Sequence, residues 1–485
     1  MAREIDTFFC YITNHLLESK MEQFASGSGY KRLRGAIWTL AGAGCVAVFA
    51  TLLTTNPIAA VGEPTQGRAA SLVALGKQFD GAASCASQTT GCHNSPAAAP
   101  APGPLLTENT TWNDFDRHSK AYLSLKPKKA DIAKRPSLAK TAIIAKALGI
   151  KKPEKDAKCL SCHSLNAPEN LQSEKNGFSL TEGVSCNSCH GPSQDWRGEH
   201  NKKDWTDKQR LAVASAKGDE LWKGQASHQE LLTKFGLYDT KPLVARAEIC
   251  VSCHLAIDPK LVEAGHPQPY FELNKFQEDE PKHWRERPEH AGFGHVRIWA
   301  VGQVVCLRDA MRQLAERAGT ADTKPETLKD SLAQALGHFA MVKQLSDAKV
   351  MAVDSATLDA GKALLDMLAS GKLDASAIVA PATGIASHFK GLADAALAVP
   401  TDQATLDKLL ASVAADDVAK TLGRHGGQQQ ALALWSLHSA SPTAKPDDAA
   451  NKSIQSLLET TGGETAFDAA AFGTKLKAAQ ETLKK

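Results

Sequence analysis

Hydrophobic positions divide the 485-residue chain into three stretches of different character. Residues 35–53 form an uncharged apolar run, and the charge-free sequence continues to Gly62. From about residue 82 to residue 300 many Gly, Pro and Asn interrupt the apolar positions, which predicts loops and short helices rather than alternating strands. Beyond residue 300 a helical apolar stripe begins, formed by Val304, Val305, Leu307, Met311 and Leu314.

The C-terminal stretch, residues 301–485, predicts a bundle of five to seven helices. Ala, Leu, Lys and Asp dominate it, while Gly-Gly pairs and prolines mark the turns. Plausible helix caps occur at Thr323, Ser355, Thr401 and Asp447. No internal repeat is clean enough to indicate a solenoid.

The apolar run at residues 35–53 has nearly the ~20 residues that a bilayer-spanning helix needs. Basic residues just before it place residues 1–34 in the cytoplasm and everything after on the outer side, by the positive-inside rule. Two alternatives stay open: a signal peptide cleaved near Ile58-Ala59-Ala60, and a buried soluble helix. Both membrane interpretations predict export, with residues 54–81 as a linker.

Charge and cysteine content narrow the functional class. The chain has 56 Lys and Arg against 53 Asp and Glu, a net charge of +3 with both signs interspersed, which excludes a dedicated nucleic-acid binder. It has 11 cysteines, and eight lie between Cys85 and Cys253, mostly in pairs followed directly by His. Metal or cofactor chemistry is therefore expected in the middle stretch.

Three segments of the middle stretch have the pattern Cys-x-x-Cys-His. They are Cys159, Cys162 and His163; Cys186, Cys189 and His190; and Cys250, Cys253 and His254. Two thiols at this spacing can form thioethers with the two vinyl groups of one haem, and the adjacent His becomes the proximal iron ligand. A four-thiolate zinc site is the alternative. Zinc requires no His after each pair, so the pattern favours three covalent c-type haems, and two motifs close in sequence suggest neighbouring haems.

An additional, irregular site precedes these motifs. In chain order it is the first motif, and the three regular ones are the second, third and fourth motifs. Cys85 and Cys92 are separated by six residues instead of two, and His93 follows directly. An expanded attachment loop would bring Cys85 to the second vinyl group. A haem held by Cys92 alone, or a disulfide without haem, are the alternatives. The sequence thus predicts four haems, three of them at regular motifs.

The sixth position of each iron decides function, because a second His makes the haem an electron carrier and an open position allows small ligands to react. The candidate distal ligands are His118, His200, His266 and His283. Lower-ranked candidates are His228, His290 and His295. The histidines and methionines of the C-terminal stretch are expected to be structural or exposed, and Cys306 to be a buried thiol.

The order of these motifs resembles the cytochrome c-554 family of multihaem cytochromes. The shared pattern is an attachment site, a Trp…His-x-x-Ala-Tyr segment, CLSCH, Gly-Val-Ser-CNSCH-Gly-Pro, then CVSCH and Gly-His-Pro. The resemblance covers about residues 80–305 and implies a periplasmic electron carrier with closely stacked haems and mostly bis-His ligation. Carried over by position, it implies His163, His190 and His254 as proximal ligands and His118, His200 and His266 as distal ones.

The expected fold class is therefore mainly α: a loop-rich multihaem c-type cytochrome domain at 82–300, a helical bundle at 301–485 and an N-terminal membrane helix. The favoured function is electron transfer between redox partner proteins. The alternative is an oxidoreductase acting on a small nitrogen or sulfur compound at one five-coordinate haem. A basic insert at residues 126–158, with 11 Lys and Arg, is either a solvated face or a docking patch for an acidic redox partner.

Overall fold

The computed structural model describes seven segments of the chain: residues 72–86, 92–101, 104–201, 231–255, 257–415, 418–462 and 466–483. They belong to one unit, Pro64–Lys485. The predicted tail at 1–34, the predicted membrane helix at 35–53 and His228 lie outside the described residues. None of the helices in the described segments is long and apolar enough to cross a membrane.

The described residues form helices and loops without a β-strand, in agreement with the predicted mainly α class; one isolated bridge joins Phe79 to Gln172. The end of the predicted linker packs into the fold, because Phe79 and Asp80 are both buried. Asp80 accepts hydrogen bonds from Asn176 and Ser193 and joins two loops of the middle stretch.

The middle stretch consists of short helices, as its Gly- and Pro-rich sequence predicts. Its α-helices are α1 (Glu108–Phe115), α2 (Lys129–Lys134), α3 (Lys140–Ala147), α4 (Ala157–His163), α5 (Cys186–His190), α6 (Trp196–Glu199), α7 (Leu243–His254), α8 (Pro259–Glu263) and α9 (Leu273–Asp279). Its 3-10 helices are Ala82–Ser84, Arg117–Leu125, Pro136–Ala139, Pro153–Lys155, Glu169–Leu171, Glu174–Asn176, Leu180–Glu182 and Pro288–His290, and Leu231–Phe235 is a π-helix.

The C-terminal stretch contains nine described helices, more than the five to seven that the sequence predicts. They are α10 (Gly294–Gly319), α11 (Pro325–Asp347), α12 (Ser355–Ser370), α13 (Ala375–Ser387), α14 (Phe389–Leu397), α15 (Gln403–Ala415), α16 (Val418–Ser439), α17 (Ala449–Thr461) and α18 (Ala469–Leu483). The sequence undercounts them in part because the turn at His388, between α13 and α14, carries neither Gly nor Pro.

The bundle core continues into the middle stretch through α10 and α7. Leu243, Ala247 and Val251 recur every fourth residue on α7 and are buried against the bundle core. The boundary predicted at residue 300 falls inside α10, whose central residues are buried, including the Cys306 thiol as predicted. The C-terminal end of α7 carries Cys250, Cys253 and His254, which line the candidate site.

Candidate haem-binding site

A cavity of about 2690 Å³ lies in the middle stretch, and every predicted site residue lines it. Its walls include all eight motif cysteines, the four histidines that follow them and the four candidate distal histidines. A pocket for one small ligand has a volume of roughly 300–1,000 Å³. The cavity therefore has room for several prosthetic groups side by side, which fits the number of motifs around it.

Each regular motif is folded into a short helix with a defined start. On α4 the Asp156 carboxylate accepts the Lys158 N–H at 3.0 Å as an N-cap, and on α5 the Ser185 N–H donates to the Ser188 hydroxyl at 3.1 Å. In a helix, residues three and four apart share a face. Both cysteines and the His of a motif are therefore presented to the cavity together.

Two glycines beside the third motif permit close backbone contacts that no side chain would allow. Gly183 has φ +75°, and a Cβ there would lie 2.5 Å from the His118 carbonyl oxygen. Gly191 has φ +77°, and its Cβ would lie 2.3 Å from the Gly236 carbonyl oxygen. The Val184 N–H donates to the His118 carbonyl at 3.0 Å, so the segment before the third motif is fixed to the segment that carries a candidate distal ligand.

Contacts between thiols show which motifs are neighbours. Cys85 hydrogen-bonds with Cys186, Cys162 hydrogen-bonds with Cys253, and Cys250 lies close enough to Cys189 to raise its pKa. The first motif therefore adjoins the third, the third adjoins the fourth, and the fourth adjoins the second. The neighbours suggested by sequence proximity, the second and third motifs, are not the ones that these contacts join.

Three motif histidines face a distal candidate across a nearly constant distance. Ring centroids are 6.0 Å apart for His93 and His200, 5.9 Å for His254 and His118, and 6.3 Å for His163 and His266. Two imidazoles bonded at about 2 Å to opposite sides of one metal ion have their ring centroids about 6 Å apart. The spacing of all three pairs thus fits axial ligation of one iron by each pair.

The remaining motif histidine is His190 of the third motif, and its neighbour is His283. Burial, together with the nearby His283, lowers the pKa of His190 to about 4. His283 lines the cavity and lies against Trp284, with ring centroids 5.2 Å apart. Three motif histidines therefore have a ring partner at about 6 Å, and His283 lies near enough to His190 to lower its pKa.

Hydrogen bonds at Nδ1 leave the other ring nitrogen of these histidines available. The Nδ1 partners are Glu108 for His93 at 2.9 Å, Asp116 for His118 at 3.0 Å, Ser124 for His163 at 2.8 Å, the Trp196 carbonyl for His200 at 3.2 Å and the Pro267 carbonyl for His266 at 2.8 Å. Metal-bound histidines in proteins usually have such a partner, which fixes the ring orientation and the tautomer. Five of the eight histidines thus have Nδ1 hydrogen-bonded in the way that metal-bound histidines do.

Electrostatics divide the histidines into two groups. Burial lowers the pKa of His254 to about 4 and also lowers the pKa values of His163 and His266, so these rings are neutral, as a metal ligand must be. For His118, burial opposes the charged form, but the hydrogen bond and charge of Asp116 outweigh it and raise the pKa. The Glu108 hydrogen bond likewise raises the pKa of His93.

The carboxylates around the distal histidines are functional residues that the sequence analysis did not identify. Asp116, His118 and Glu280 place their ligand atoms within 4.8 Å of one another. Glu280 lies 3.9 Å from His118 and 3.8 Å from His283, between two candidate ligands of different sites. The only sequence signal was the position of each carboxylate two or three residues before a candidate His.

The other predicted candidates lie elsewhere. His290 is buried against Glu286 at 2.8 Å, and His295 lies near Glu278, so neither pairs with a motif histidine. No disulfide joins the described cysteines, and Cys85 hydrogen-bonds with Cys186. The irregular first site is thus arranged like the regular ones, with His93 facing His200.

Comparison with known proteins agrees with this geometry. Residues 85–191 match the family model described as cytochrome c554 and c-prime. This segment is similar to the cytochrome c-554 family. The chain is also similar to cytochrome c-554 of Nitrosomonas europaea, with 27% identity over 183 residues. That alignment covers 36% of this chain and 57% of the relative, and no solved structure matches.

The match to the cytochrome c-554 family begins at Cys85 and ends at Gly191, so it includes the irregular first motif and two regular ones. Similarity to a cytochrome c family indicates covalently bound haem c and haem-based electron transfer. The family match does not extend to the fourth motif or to the helical bundle.

Proposed function

We propose that the protein is a tetrahaem c-type cytochrome that transfers electrons between redox proteins on the outer side of a bacterial cytoplasmic membrane. The observation that carries the proposal is the second histidine beside each motif histidine. Bis-His ligation at every site gives low-spin iron that exchanges electrons without binding a substrate. The proposed pairs are His93 with His200, His163 with His266, His190 with His283 and His254 with His118.

Four such sites form a continuous row. The thiol contacts give the order first, third, fourth, second, so the terminal sites are those of His93 and His163. Haem c, when bound, supplies one reversible electron per iron. The protein holds the sites in fixed positions relative to one another. The buried α7 holds the fourth motif on the bundle, and the hydrogen-bonded Nδ1 atoms keep the imidazoles in one orientation.

Export is the second part of the proposal. It rests on the apolar segment at residues 35–53 and on the charge bias before it, with anchoring and signal cleavage as two forms of the same localisation. Covalent haem attachment in bacteria takes place outside the cytoplasmic membrane, which is consistent with this location. Donor and acceptor are redox proteins under this proposal, and no nucleic acid is involved.

Mass spectrometry and electron paramagnetic resonance of the full-length, haem-matured protein test the proposal together. We expect four attached haems and ferric iron that is entirely low-spin. His266→Ala is expected to convert one of the four irons to a high-spin form, because it removes the distal partner of His163. His388→Ala is the matched control, since His388 lies in the bundle and hydrogen-bonds to Thr357 at 2.9 Å.

A stoichiometric high-spin centre in the unmodified protein would contradict the bis-His assignment. It would instead indicate one open iron and favour the oxidoreductase alternative. Small nitrogen and sulfur compounds would then be tested as ligands of that centre. If only three haems are attached, at the second, third and fourth motifs, the proposal is restricted to a trihaem protein.

A further inference from the structure

The basic insert, residues 126–158, covers one end of the cavity beside the second motif. It contains α2, α3 and two 3-10 helices, Pro136–Ala139 and Pro153–Lys155. Ser137, Leu138 and Lys140 line the cavity together with Cys159 and His163 of the second motif. The insert therefore borders the terminal site of the proposed row.

Hydrogen bonds connect the insert to His163, the motif histidine of this site. Thr141 in α3 donates through its hydroxyl to the Ser124 carbonyl at 2.8 Å, and the Ser124 hydroxyl pairs with Nδ1 of His163 at 2.8 Å. The surface of α3 is thus only two hydrogen bonds away from a proximal ligand. A protein bound to this surface would lie next to the terminal haem.

Charge is concentrated on this insert. It carries 11 Lys and Arg against Asp131, Glu154 and Asp156, a net charge of +8, whereas the whole chain carries +3. The rest of the chain is therefore net negative by five charges. Seven of its lysines are exposed and form no ion pair with another described residue: Lys128, Lys129, Lys134, Lys146, Lys151, Lys152 and Lys155.

Two exposed apolar side chains accompany these lysines. Ile143 in α3 is 62% exposed, and Leu123, next to Ser124, is 48% exposed. The neighbours of Ile143 on α3, Ile144 and Ala145, are buried, so the helix is folded onto the protein and presents Ile143 outward. The bond between Thr141 and Ser124 holds the two exposed residues on connected segments.

We propose that the docking face, defined as residues 126–158 with Leu123, binds an acidic redox protein and makes the second motif the point where electrons enter or leave. This inference rests on the proposed electron-transfer function. Electrostatic steering by a charged face accelerates encounter, and electron-transfer complexes are small and transient. A few apolar side chains among lysines provide such an interface.

A partner protein fits this face better than a lipid surface does. A helix that binds in a membrane interface needs a continuous apolar face along its length. On α3, Ile143 is the one large apolar side chain that is strongly exposed, and α2 carries none. Ser137, Leu138 and Lys140 of the insert line the cavity, so the cofactor of a partner bound here would lie near the terminal site.

The test uses the full-length, haem-matured protein and chemically reduced flavodoxin, a small acidic electron carrier, as the probe. Stopped-flow spectroscopy measures the second-order rate constant of haem reduction at low and high ionic strength. The test variant is the triple charge reversal Lys129→Glu, Lys151→Glu and Lys152→Glu. The matched control reverses three exposed bundle lysines by Lys372→Glu, Lys408→Glu and Lys452→Glu, with the same change in net charge.

We expect the test variant to lower the rate constant by about tenfold or more at low salt, because steering contributes 10–1,000-fold to association. The difference should disappear near 1 M salt, where the Debye length is about 3 Å. The bundle control should change the rate far less. A further variant, Ile143→Ala with Leu123→Ala, should slow reduction at all salt concentrations, whereas Leu397→Ala, which truncates an exposed bundle leucine, should not.

Three outcomes would overturn the docking proposal. The first is an equal effect of both triple reversals, and the second is no effect of either. The third is loss of binding to phosphatidylglycerol vesicles in the test variant with an unchanged flavodoxin rate, which would assign the face to a membrane surface. Haem content and complete reduction by dithionite are measured in every sample. If these fail in the unmodified protein, the proposed function fails; if they hold, only the docking proposal is affected.

Discussion

Glu272 is a fully buried carboxyl group between the bundle and the haem-binding region, and its ionisation should control stability. Its two carboxylate oxygens accept the N–H groups of Asn274 and Lys275 at 2.9 and 2.7 Å, which caps α9, and it accepts the Ser436 hydroxyl of α16 at 2.6 Å. Burial raises the pKa of Glu272 from 4.5 to about 7, against these hydrogen bonds. Helix α9 leads directly to Glu280 and His283 in the site.

The sign of the pH effect follows from proton linkage. Between pH 4.5 and 7 the folded protein keeps the proton on Glu272, whereas the unfolded chain has released it, so stability falls as the pH rises. A difference of 2.5 units at 1.36 kcal/mol per unit gives about 3 kcal/mol. This contribution is absent below the unfolded pKa and complete above the folded one.

Glu272→Gln removes the ionisable group. Its amide nitrogen cannot accept the hydrogen bonds that one carboxylate oxygen accepts, so the variant also loses a pH-independent amount of stability, and only the pH-dependent part reports on ionisation. The free energy of unfolding is measured by urea denaturation of the haem-matured protein at pH 5 and at pH 8.5. We expect the stability of the variant relative to the unmodified protein to rise by about 2.5 kcal/mol between pH 5 and pH 8.5, because about 0.8 kcal/mol of the effect is already present at pH 5. Equal pH slopes for both proteins would refute the reasoning.

Two further predictions concern the bundle and the irregular haem site. Gly361→Ala should destabilise the protein by about 1–3 kcal/mol, because the new Cβ would lie 2.0 Å from the Phe339 ring. Gly384→Ala places its Cβ in open space on a helix and should stabilise the protein by about 0.5–1 kcal/mol. Thermal unfolding of the two variants measures the difference. Cys85→Ala should leave the first haem attached through Cys92 by a single thioether, so the haem count by mass spectrometry stays at four, while a count of three would show that Cys85 is required for attachment.

The attachment motifs could be predicted because their information is local. Cys-x-x-Cys-His places its three functional groups within one or two helical turns, so its chemistry does not depend on the rest of the fold. The helical periodicity of the bundle was also visible, although its helix count was too low, since the turn at His388 has no characteristic residue. The ranking of His118, His200 and His266 above the other histidines came from neighbouring residues and from the family resemblance.

His283 illustrates where sequence reasoning was weakest. Its neighbour Trp284 gave a reason to consider it, but nothing in the sequence indicated that it lies beside His190. The carboxylates Asp116 and Glu280 were missed entirely, because an acidic residue near a histidine is common and acquires meaning only from the distance between its atoms. Glu272 was missed for the same reason, because nothing in the sequence distinguishes it from an ordinary surface glutamate.

The sequence by itself determined the kind of cofactor, the residues that attach it and the helical character of the chain, because thioether spacing and helix periodicity are properties of short segments. Only the tertiary structure decided which histidine faces which, which motifs are neighbours, and that the basic insert borders the second motif. These relations join residues far apart in the chain. They depend on how α7 packs on α10 and how Gly183 lets two loops approach, and no local pattern encodes either.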